Sequence, residues 1–280
     1  MRPDWTVRTE DGCELGAKVT EPTGTCVGDV LVLPAMMVDV RSLDRPPGGG
    51  LASILAEEGF RVHRADLRGR GMSPAAGFTY EDLVYRDLPA LVGAIEDPWV
   101  LGHSLGGHVT AASWGAGCIA PRGLVGLGAN VWMPSLEPGR RMRLKKALGM
   151  HGARLSVRMF GGFPASRAGI GPVDEPADYA SDLARFWFQD RWGDRAGSDW
   201  LAGLAAIDGP ALMVCSEGDT LLAHPDGATA FAARIPGVEV WRLKNGDLGM
   251  PQAPSHMEMG VDAVSEPLWR AIAAWMKDAA

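Results

Sequence analysis

The amino-acid sequence predicts an α/β fold, with a mostly parallel β-sheet, helices on both of its faces and a helical segment inserted between two strands. Three observations support this prediction. Several short runs are apolar without alternation, as in strands that are buried on both faces. Helical apolar stripes separate these runs, and strands that alternate with helices are typical of parallel sheets. The alternation stops between residues 134 and 205.

The first predicted element is a hairpin at one edge of the sheet. Residues 4–9 and 14–20 flank the turn Glu10-Asp11-Gly12. Glycine adopts a positive φ without steric cost, which suits it to tight turns between antiparallel strands. We therefore expect two antiparallel strands ahead of the parallel ones.

The parallel strands are predicted at the apolar runs. These runs are Val30–Leu33, Trp99–Leu101, Leu124–Leu127 and Ala211–Cys215, and a last strand-like run follows at Val238–Trp241. Because the first four do not alternate with polar residues, we expect helices to cover both faces of these strands.

Helices are predicted where apolar residues recur at spacings of three and four. Such stripes lie at residues 51–55, 84–95 and 268–276. Gly59 follows the first stripe and suits the C′ position of a helix. Pro89 lies inside the second stripe and predicts a helix start near Asp87, because proline is tolerated in the first turn. Ser265 is the candidate N-cap of the last helix.

The sequence divides into three predicted parts. Residues 1–133 form the first part of the sheet domain, residues 134–205 a helical insertion, and residues 206–280 the second part of the sheet domain. The insertion has no strand-like run, and its middle is rich in Gly and Pro, as in a loop between helices. It contains a basic cluster (Arg140, Arg141, Arg143, Lys145, Lys146) and three tryptophans (Trp187, Trp192, Trp200).

Composition and charge exclude several classes of protein. The 280 residues are 46% hydrophobic and 22% charged, which excludes a disordered chain. The formal net charge of −7 argues against nucleic acid or an anionic membrane as the main partner, because both attract basic surfaces. No apolar run approaches the roughly 18 residues of a spanning helix, so we expect no membrane insertion. The oligomeric state stays open.

The cysteines and the N-terminus favour a cytoplasmic protein. Cys13, Cys26, Cys118 and Cys215 form no C-x-x-C pair, which favours reduced thiols. Residues 1–5 carry no apolar signal segment, so we expect no secretory signal. His and Cys show no zinc-like spacing, and we expect neither a metal nor an organic cofactor.

Ser104 lies in the motif that carries the most chemical information. Gly102-His103-Ser104-Leu105-Gly106 matches G-x-S-x-G, in which the serine occupies a sharp turn between a strand and a helix. The chain has 37 glycines, so the pattern gains its weight from context. It follows the run Trp99–Leu101 and precedes a helix-like run of small residues. We predict that Ser104 is a nucleophile.

A serine nucleophile needs a base and an acid that orients the base. With this motif the chain order is serine, acid, histidine. His256 lies in a loop between the last strand-like run and the C-terminal helix, and His224, which also follows a strand, is the alternative. The acid should follow Ala211–Cys215, where Asp219 is favoured and Glu217 is the alternative.

The remaining site residues are predicted from their places in the fold. The backbone N–H groups of Met36, after the first parallel strand, and Leu105, after the nucleophile, are the candidate oxyanion donors. Trp187, Trp192 and Trp200 are the candidate walls of an acyl pocket between the insertion and the sheet. Packing of these tryptophans within the insertion is the alternative.

The sequence resembles the α/β-hydrolase superfamily. Asp66-Leu67-Arg68-Gly69-Arg70-Gly71-Met72-Ser73 matches the D-x-R-G-x-G-x-S segment of bacterial serine hydrolases grouped with monoglyceride lipases and serine-aminopeptidase-like proteins, and the motif at Ser104 is similar to theirs. The resemblance implies an α/β-hydrolase fold and an insertion that acts as a lid. It also implies a triad of Ser104, Asp219 and His256 and a structural role for Asp66 and Arg68.

These residues predict hydrolysis of an ester or a related acyl bond of a small molecule through an acyl-serine intermediate. Acyl transfer or thioester hydrolysis on the same triad is the alternative. From a different class of function, a non-catalytic ligand-binding scaffold is the alternative. A serine at this position argues against epoxide hydrolases and dehalogenases, which need an aspartate there. The fold does not identify the substrate.

Overall fold

An eight-stranded sheet is the central element of a computed structural model of the protein, which describes residues 1–279. Residues 1–279 contain ten strands, and eight of them form this sheet. The strands are β1 (Trp5–Arg8), β2 (Glu14–Thr20), β3 (Gly28–Leu33), β4 (Phe60–Ala65), β5 (Trp99–His103), β6 (Gly123–Leu127), β7 (Gly162–Phe163), β8 (Glu175–Pro176), β9 (Ala211–Ser216) and β10 (Glu239–Leu243). The order in the sheet is β1-β2-β4-β3-β5-β6-β9-β10, and β7 and β8 form a separate pair.

The sheet is mostly parallel, as the sequence predicts. β1 runs antiparallel to β2, and β2 runs antiparallel to β4. Every other neighbouring pair in the sheet is parallel. The predicted edge hairpin is therefore confirmed, and Gly12 in its turn has a φ of +84°.

Helices cover both faces of the sheet. They are α1 (Leu51–Glu57), α2 (Tyr80–Asp82), α3 (Leu88–Gly93), α4 (Leu105–Gly115), α5 (Arg140–Phe160), α6 (Ala165–Ala168), α7 (Ala177–Gln189), α8 (Trp200–Gly203), α9 (Pro225–Ala232), α10 (Glu258–Val261) and α11 (Glu266–Asp278). Short 3₁₀ turns lie at Val40–Asp44, Pro134–Leu136, Leu204–Ala206, Asp247–Gly249 and Ala263–Ser265.

Strand β3 shows how the two faces are buried. Val30 and Val32 pack in one apolar cluster with α1 and α11. Leu31 and Leu33 pack in the other cluster, with α3 and α4. Successive side chains of a strand point to opposite faces, so an unbroken apolar run satisfies both layers.

Strand β4 has no counterpart among the apolar runs of the sequence. Arg61, His63 and Arg64 interrupt its apolar residues, so no such run is visible. In the structure, side chains of β1 and β3 form hydrogen bonds with His63. His63 Nε2 lies 2.8 Å from Asp29 Oδ1, and the indole N–H of Trp5 donates to His63 Nδ1 over 3.1 Å.

Two helix starts differ in detail from the predictions. The α-helix begins at Leu88, next to Pro89, but a π-helical turn (Leu83–Asp87) and α2 precede it without a break. A π turn suits this place because Pro89 cannot donate a hydrogen bond to the preceding turn. Ser265 directly precedes α11 but makes no side-chain capping bond, since the turn Ala263–Ser265 leads into the helix instead.

The loop after β4 is tied to its surroundings by the side chains of Asp66 and Arg68. Asp66 is fully buried, and its carboxylate accepts from the amides of Val40 and Met72. Arg68 donates to Asp87 over 2.7 Å. These contacts join the loop after β4 to the chain that follows β3 and to the turn before α3.

The chain between β6 and β9 interrupts the alternation of strands and helices. It contains the 21-residue helix α5, which packs against α7, and the small β7–β8 pair between them. Strands β6 and β9 are direct neighbours in the sheet, so this segment leaves and re-enters the sheet at one place.

Candidate active site

Ser104 occupies a strained turn between β5 and α4. Its backbone has φ +50° and ψ −109°, which non-glycine residues rarely adopt. The Ser104 amide donates to the carbonyl of Leu127 on β6 over 2.8 Å. Its own carbonyl accepts from the amides of Gly107 and His108 at the start of α4. The sheet and the helix together hold this conformation.

The glycines of the motif are required by close contacts. A Cβ on Gly102 would lie 2.1 Å from the Gly107 nitrogen, and a Cβ on Gly106 would lie 2.6 Å from Leu33 Cβ. Both distances are below van der Waals contact, so a side chain at either position would displace backbone or core atoms. The G-x-S-x-G spacing therefore follows from packing at the turn.

Asp219 and His256 form a buried hydrogen-bonded pair. Asp219 follows β9 and His256 precedes α10, and Asp219 Oδ2 lies 2.6 Å from His256 Nδ1. Asp219 also accepts from the amides of Leu222 and Ala223, over 2.9 and 2.8 Å. Burial raises the pKa of Asp219, but the hydrogen bonds and the charge of His256 outweigh it, so this pKa lies below its usual value. An ionised carboxylate at this distance favours the neutral His256 tautomer with its proton on Nδ1, which leaves Nε2 as an acceptor.

The alternative acid and base lie elsewhere. Glu217 is exposed, and its carboxylate accepts from Arg242 over 3.3 Å. His224 Nδ1 accepts from the Asp226 amide over 3.4 Å at the start of α9. Within residues 1–279, neither side chain is hydrogen bonded to His256.

Ser104 and His256 face the same cavity, which has a volume of about 390 Å³. No hydrogen bond joins their side chains in the described chain, and catalytic hydrogen bonds are often long before substrate binds. Most of the wall is apolar and comes from Met36, Val131, Trp132, Met150, Phe163, Leu183, Phe186 and Leu222. Four polar residues, Tyr80, His108, Asn130 and Glu175, also line this cavity.

The tryptophans predicted as pocket walls do not line this cavity. Trp192 and Trp200 are 0% and 1% exposed, and their rings pack edge to face against each other with centroids 5.8 Å apart. Trp187 is also buried. The expectation does not hold for this cavity, because the rings of Trp192 and Trp200 pack in the core against Tyr80. Trp132, which the sequence did not single out, lies on the wall instead.

The candidate oxyanion donors lie at the expected places. Met36 lines the cavity after β3, and Leu105 is the first residue of α4. Within residues 1–279, no protein acceptor is hydrogen bonded to the amide of either residue. Both N–H groups are therefore free to donate to a developing oxyanion.

The loop that carries Met36 is held by the chain between β6 and β9. Met37 has a φ of +64°, a conformation that needs support in a non-glycine residue. Its amide donates to Glu175 Oε1 over 2.8 Å, and its carbonyl accepts from the Val173 amide over 3.1 Å. Glu175 also forms a buried ion pair with Arg70, whose Nη2 lies 2.7 and 2.8 Å from the two carboxylate oxygens. Glu175 and Arg70 thus fix the residue next to a candidate oxyanion donor.

Two buried histidines, one inside the motif and one two residues after it, were not predicted as site residues. His103 Nε2 lies 2.9 Å from the His256 carbonyl oxygen, which ties the end of β5 to the loop of the candidate base. His108 Nδ1 lies 2.6 Å from the Tyr80 hydroxyl on the cavity wall. No short-range pattern marks the Tyr80–His108 pair, since its members come from different helices.

The buried histidines predict an acid-sensitive fold. Burial, with a smaller effect of His256, lowers the pKa of His103 and of His108 to about 3. An unfolded histidine binds a proton near pH 6.5, so the unfolded state binds more protons between about pH 6.5 and 3. The free energy of unfolding should therefore fall as the pH drops through this window, by about 1.4 kcal/mol per pH unit for each histidine.

Urea denaturation at several pH values between 7.5 and 4.5 measures this effect. We expect His108→Gln to flatten the acid side of the stability curve relative to the unchanged protein. His151→Gln is the matched control, because His151 is exposed on α5. Equal slopes for His108→Gln and the unchanged protein would contradict a neutral, buried His108.

The described part of the chain offers neither a metal cluster nor a spanning helix. In residues 1–279, no group of three or more His, Cys, Asp or Glu side chains could hold a metal ion. Over the same residues, no helix combines the length and the apolar character needed to cross a bilayer.

Known structures share this architecture. The chain is similar to a monoacylglycerol lipase from Paleococcus ferrophilus, with a TM-score of 0.64, 16% identity and coverage of 95% of this chain and 99% of the lipase. It is also similar to a thermophilic esterase from Thermogutta terrifontis, with a TM-score of 0.63, 19% identity and coverage of 98% of each chain. An enol-lactonase from Burkholderia xenovorans gives a TM-score of 0.62 at 20% identity, with coverage of 97% of this chain and 99% of the lactonase.

Sequence comparisons agree with the fold. No curated protein sequence matches the chain. The family model described as the alpha/beta hydrolase family matches residues 43–264, which include the strained serine turn and both members of the Asp–His pair. The chain therefore belongs to the alpha/beta hydrolase family.

Proposed function

We propose that the protein hydrolyses an ester or a related acyl bond through an acyl-serine intermediate. The observation that carries the proposal is the buried Asp219–His256 hydrogen bond of 2.6 Å in a cavity that Ser104 also lines. A strained serine, an imidazole oriented by a carboxylate and two free amides are the parts that acyl transfer to serine requires.

Each residue has one role in the proposed mechanism. Ser104 Oγ attacks the acyl carbon while His256 Nε2 takes the hydroxyl proton. The amides of Met36 and Leu105 stabilise the oxyanion of the tetrahedral intermediate. The intermediate collapses, and the leaving group departs with the proton from His256. Water then attacks the acyl-serine by the same route and releases the acid, while Asp219 holds the imidazole throughout.

The proposal keeps the predicted division of the chain into residues 1–133, 134–205 and 206–280. The chain between β6 and β9, which contains the middle part, is the proposed lid. Its residues Met150, Phe163, Leu183 and Phe186 form apolar walls of the cavity. Apolar walls of this kind suit an apolar acyl or alcohol group of a small molecule. Lipase, esterase and lactonase are the activities named for three structural neighbours, which supports an acyl substrate.

The cytoplasm is the proposed location of the protein. Its four cysteines, Cys13, Cys26, Cys118 and Cys215, are all free thiols in the structure. Free thiols without disulfide partners are typical of a reducing compartment.

A fluorophosphonate probe and a substrate panel test the proposal. We expect covalent labelling of Ser104 and turnover of p-nitrophenyl esters, with a preference for one chain length that the cavity sets. Aryl amides and thioesters in the same panel identify related acyl bonds, and an added alcohol reveals acyl transfer. A folded protein that the probe does not label would favour a non-catalytic ligand-binding scaffold and contradict the proposal.

Glu175→Ala is expected to lower kcat about tenfold with a smaller effect on KM. The variant leaves the Met37 amide without its acceptor and lets the Met36 donor move, which weakens transition-state binding. Glu175→Gln is the matched control because its amide oxygen can still accept from Met37. Steady-state kinetics on a soluble ester, with thermal unfolding in parallel, measure both effects. A change in KM alone, with kcat preserved, would contradict the coupling to the oxyanion donor.

A further inference from the structure

Helix α5 is strongly basic in an acidic protein. It carries seven basic residues and no acidic residue (Arg140, Arg141, Arg143, Lys145, Lys146, Arg154 and Arg158). The formal net charge of the whole chain is −7, so the rest of the chain is twice as negative. The negative net charge of the whole chain therefore does not describe α5, which is cationic.

An apolar stripe runs along the outward face of the same helix. Leu144, Leu148, Leu155 and Met159 are 57–64% exposed. Their spacings of four, seven and four residues place them on one side of a helix. Such exposure of four large apolar side chains in a row is unusual for a surface that meets only water.

The opposite face of α5 is already occupied. Met142 and Lys146 are buried, and Lys146 forms an ion pair with the buried Glu137. Gly149, Met150 and Ala153 line the cavity. Within residues 1–279 the helix therefore has one packed side and one unpartnered side, which carries the stripe between basic residues.

We propose that the outward face of α5 is a peripheral docking surface for an anionic lipid bilayer. An apolar stripe bordered by Lys and Arg is the pattern of helices that lie in the plane of a membrane interface. At 1.5 Å per residue, the helix spans roughly 30 Å along such a surface. Leucines would enter the boundary between headgroups and acyl chains, and the basic side chains would meet the lipid phosphates.

Charge and apolar character together favour a bilayer over two other candidate partners for this face, a second copy of the chain and nucleic acid. A second copy would bring two basic α5 helices together, and like charges at close range are unfavourable. Nucleic acid would satisfy the basic residues but leave the leucine stripe without apolar contact. A bilayer satisfies both features. Because the opposite face of α5 lines the cavity, docking places the helix between the cavity and the lipid surface.

Co-sedimentation of the full-length protein with vesicles tests this proposal. We expect binding to phosphatidylcholine vesicles that contain about one third phosphatidylglycerol, and little binding to pure phosphatidylcholine. Arg141→Gln/Lys145→Gln should lower the partition coefficient by about tenfold or more. Leu148→Ser/Leu155→Ser should lower it comparably, because the apolar contact is lost. The exposed pair Arg234→Gln/Lys244→Gln removes the same charge elsewhere and should leave binding unchanged.

The outcomes separate this proposal from the proposed hydrolase activity. Leu148→Ser/Leu155→Ser should hydrolyse a short, soluble ester at the unchanged rate, since neither residue lines the cavity. Equal binding to neutral and anionic vesicles, or an equal loss in the Arg234→Gln/Lys244→Gln control, would overturn membrane docking through α5. So would a dimer that dissociates on Leu148→Ser/Leu155→Ser, or tighter binding to an oligonucleotide than to anionic vesicles.

Discussion

Ser104→Ala is expected to lower kcat for a p-nitrophenyl ester by at least about 10⁴-fold. The proposed mechanism has no second nucleophile, so the loss of one oxygen atom removes the acyl-enzyme pathway. The free energy of unfolding should change by less than about 1 kcal/mol, since the bonds that hold this turn are made by backbone atoms. Ester kinetics and urea denaturation on the same preparation measure both quantities.

Labelling provides the control for this variant. The unchanged protein should react with a fluorophosphonate, and Ser104→Ala should not. Ser113→Ala is a matched substitution, because Ser113 lies in α4 and its hydroxyl donates to the Val84 carbonyl rather than facing the cavity. Substantial turnover by Ser104→Ala, or loss of turnover by a folded Ser113→Ala, would contradict the nucleophile assignment.

Asp219→Asn is expected to lower kcat about 10⁴-fold, the loss that the same change causes in a serine-protease triad. The buried carboxylate accepts the His256 Nδ1 proton over 2.6 Å. An amide that donates to Nδ1 would favour the tautomer with its proton on Nε2, which cannot accept the proton of Ser104. The amides of Leu222 and Ala223 also depend on this carboxylate, so we expect a modest loss of stability as well.

Glu217→Gln is the matched control, two residues away and with the same chemical change. Glu217 is exposed and pairs with Arg242, so kcat should change less than twofold, within the range of ordinary surface substitutions. A large loss in Glu217→Gln together with a small loss in Asp219→Asn would exchange the roles of the two residues.

The parts of the site that depend on local sequence could be predicted. Ser104, Gly102 and Gly106 lie within five residues, and the steric demands of one turn set their spacing. Chain order and strand ends placed Asp219 and His256 on neighbouring loops, and the structure brings their side chains into contact. The carboxyl ends of adjacent parallel strands meet at one edge, which makes such a contact predictable.

Other parts depend on contacts that no short pattern encodes. Glu175 and Arg70 are 105 positions apart, and their ion pair exists because β8 returns to the loop after β4. Trp192 and Trp200 fill a core that they share with the distant Tyr80, so their size alone could not distinguish a pocket wall from a core position. Strand β4 was not predicted because polar residues interrupt its apolar pattern. These residues are tolerated in the sheet because they form hydrogen bonds with neighbouring side chains.

The contacts at Met37 limit how the chain between β6 and β9 could be exchanged in engineering. A graft that replaced this segment with one from another hydrolase would remove the Glu175 carboxylate and the Val173 amide together. Arg70 would then be left as an unpaired buried cation, and such losses typically cost about 3–5 kcal/mol. A workable chimera therefore keeps residues 171–176 with the recipient scaffold, or transfers them together with Arg70 and the loop that carries Met36. The segment that lines the cavity thus also supports the loop that carries Met36, and under the proposed function we expect changes of substrate range there to alter the rate as well.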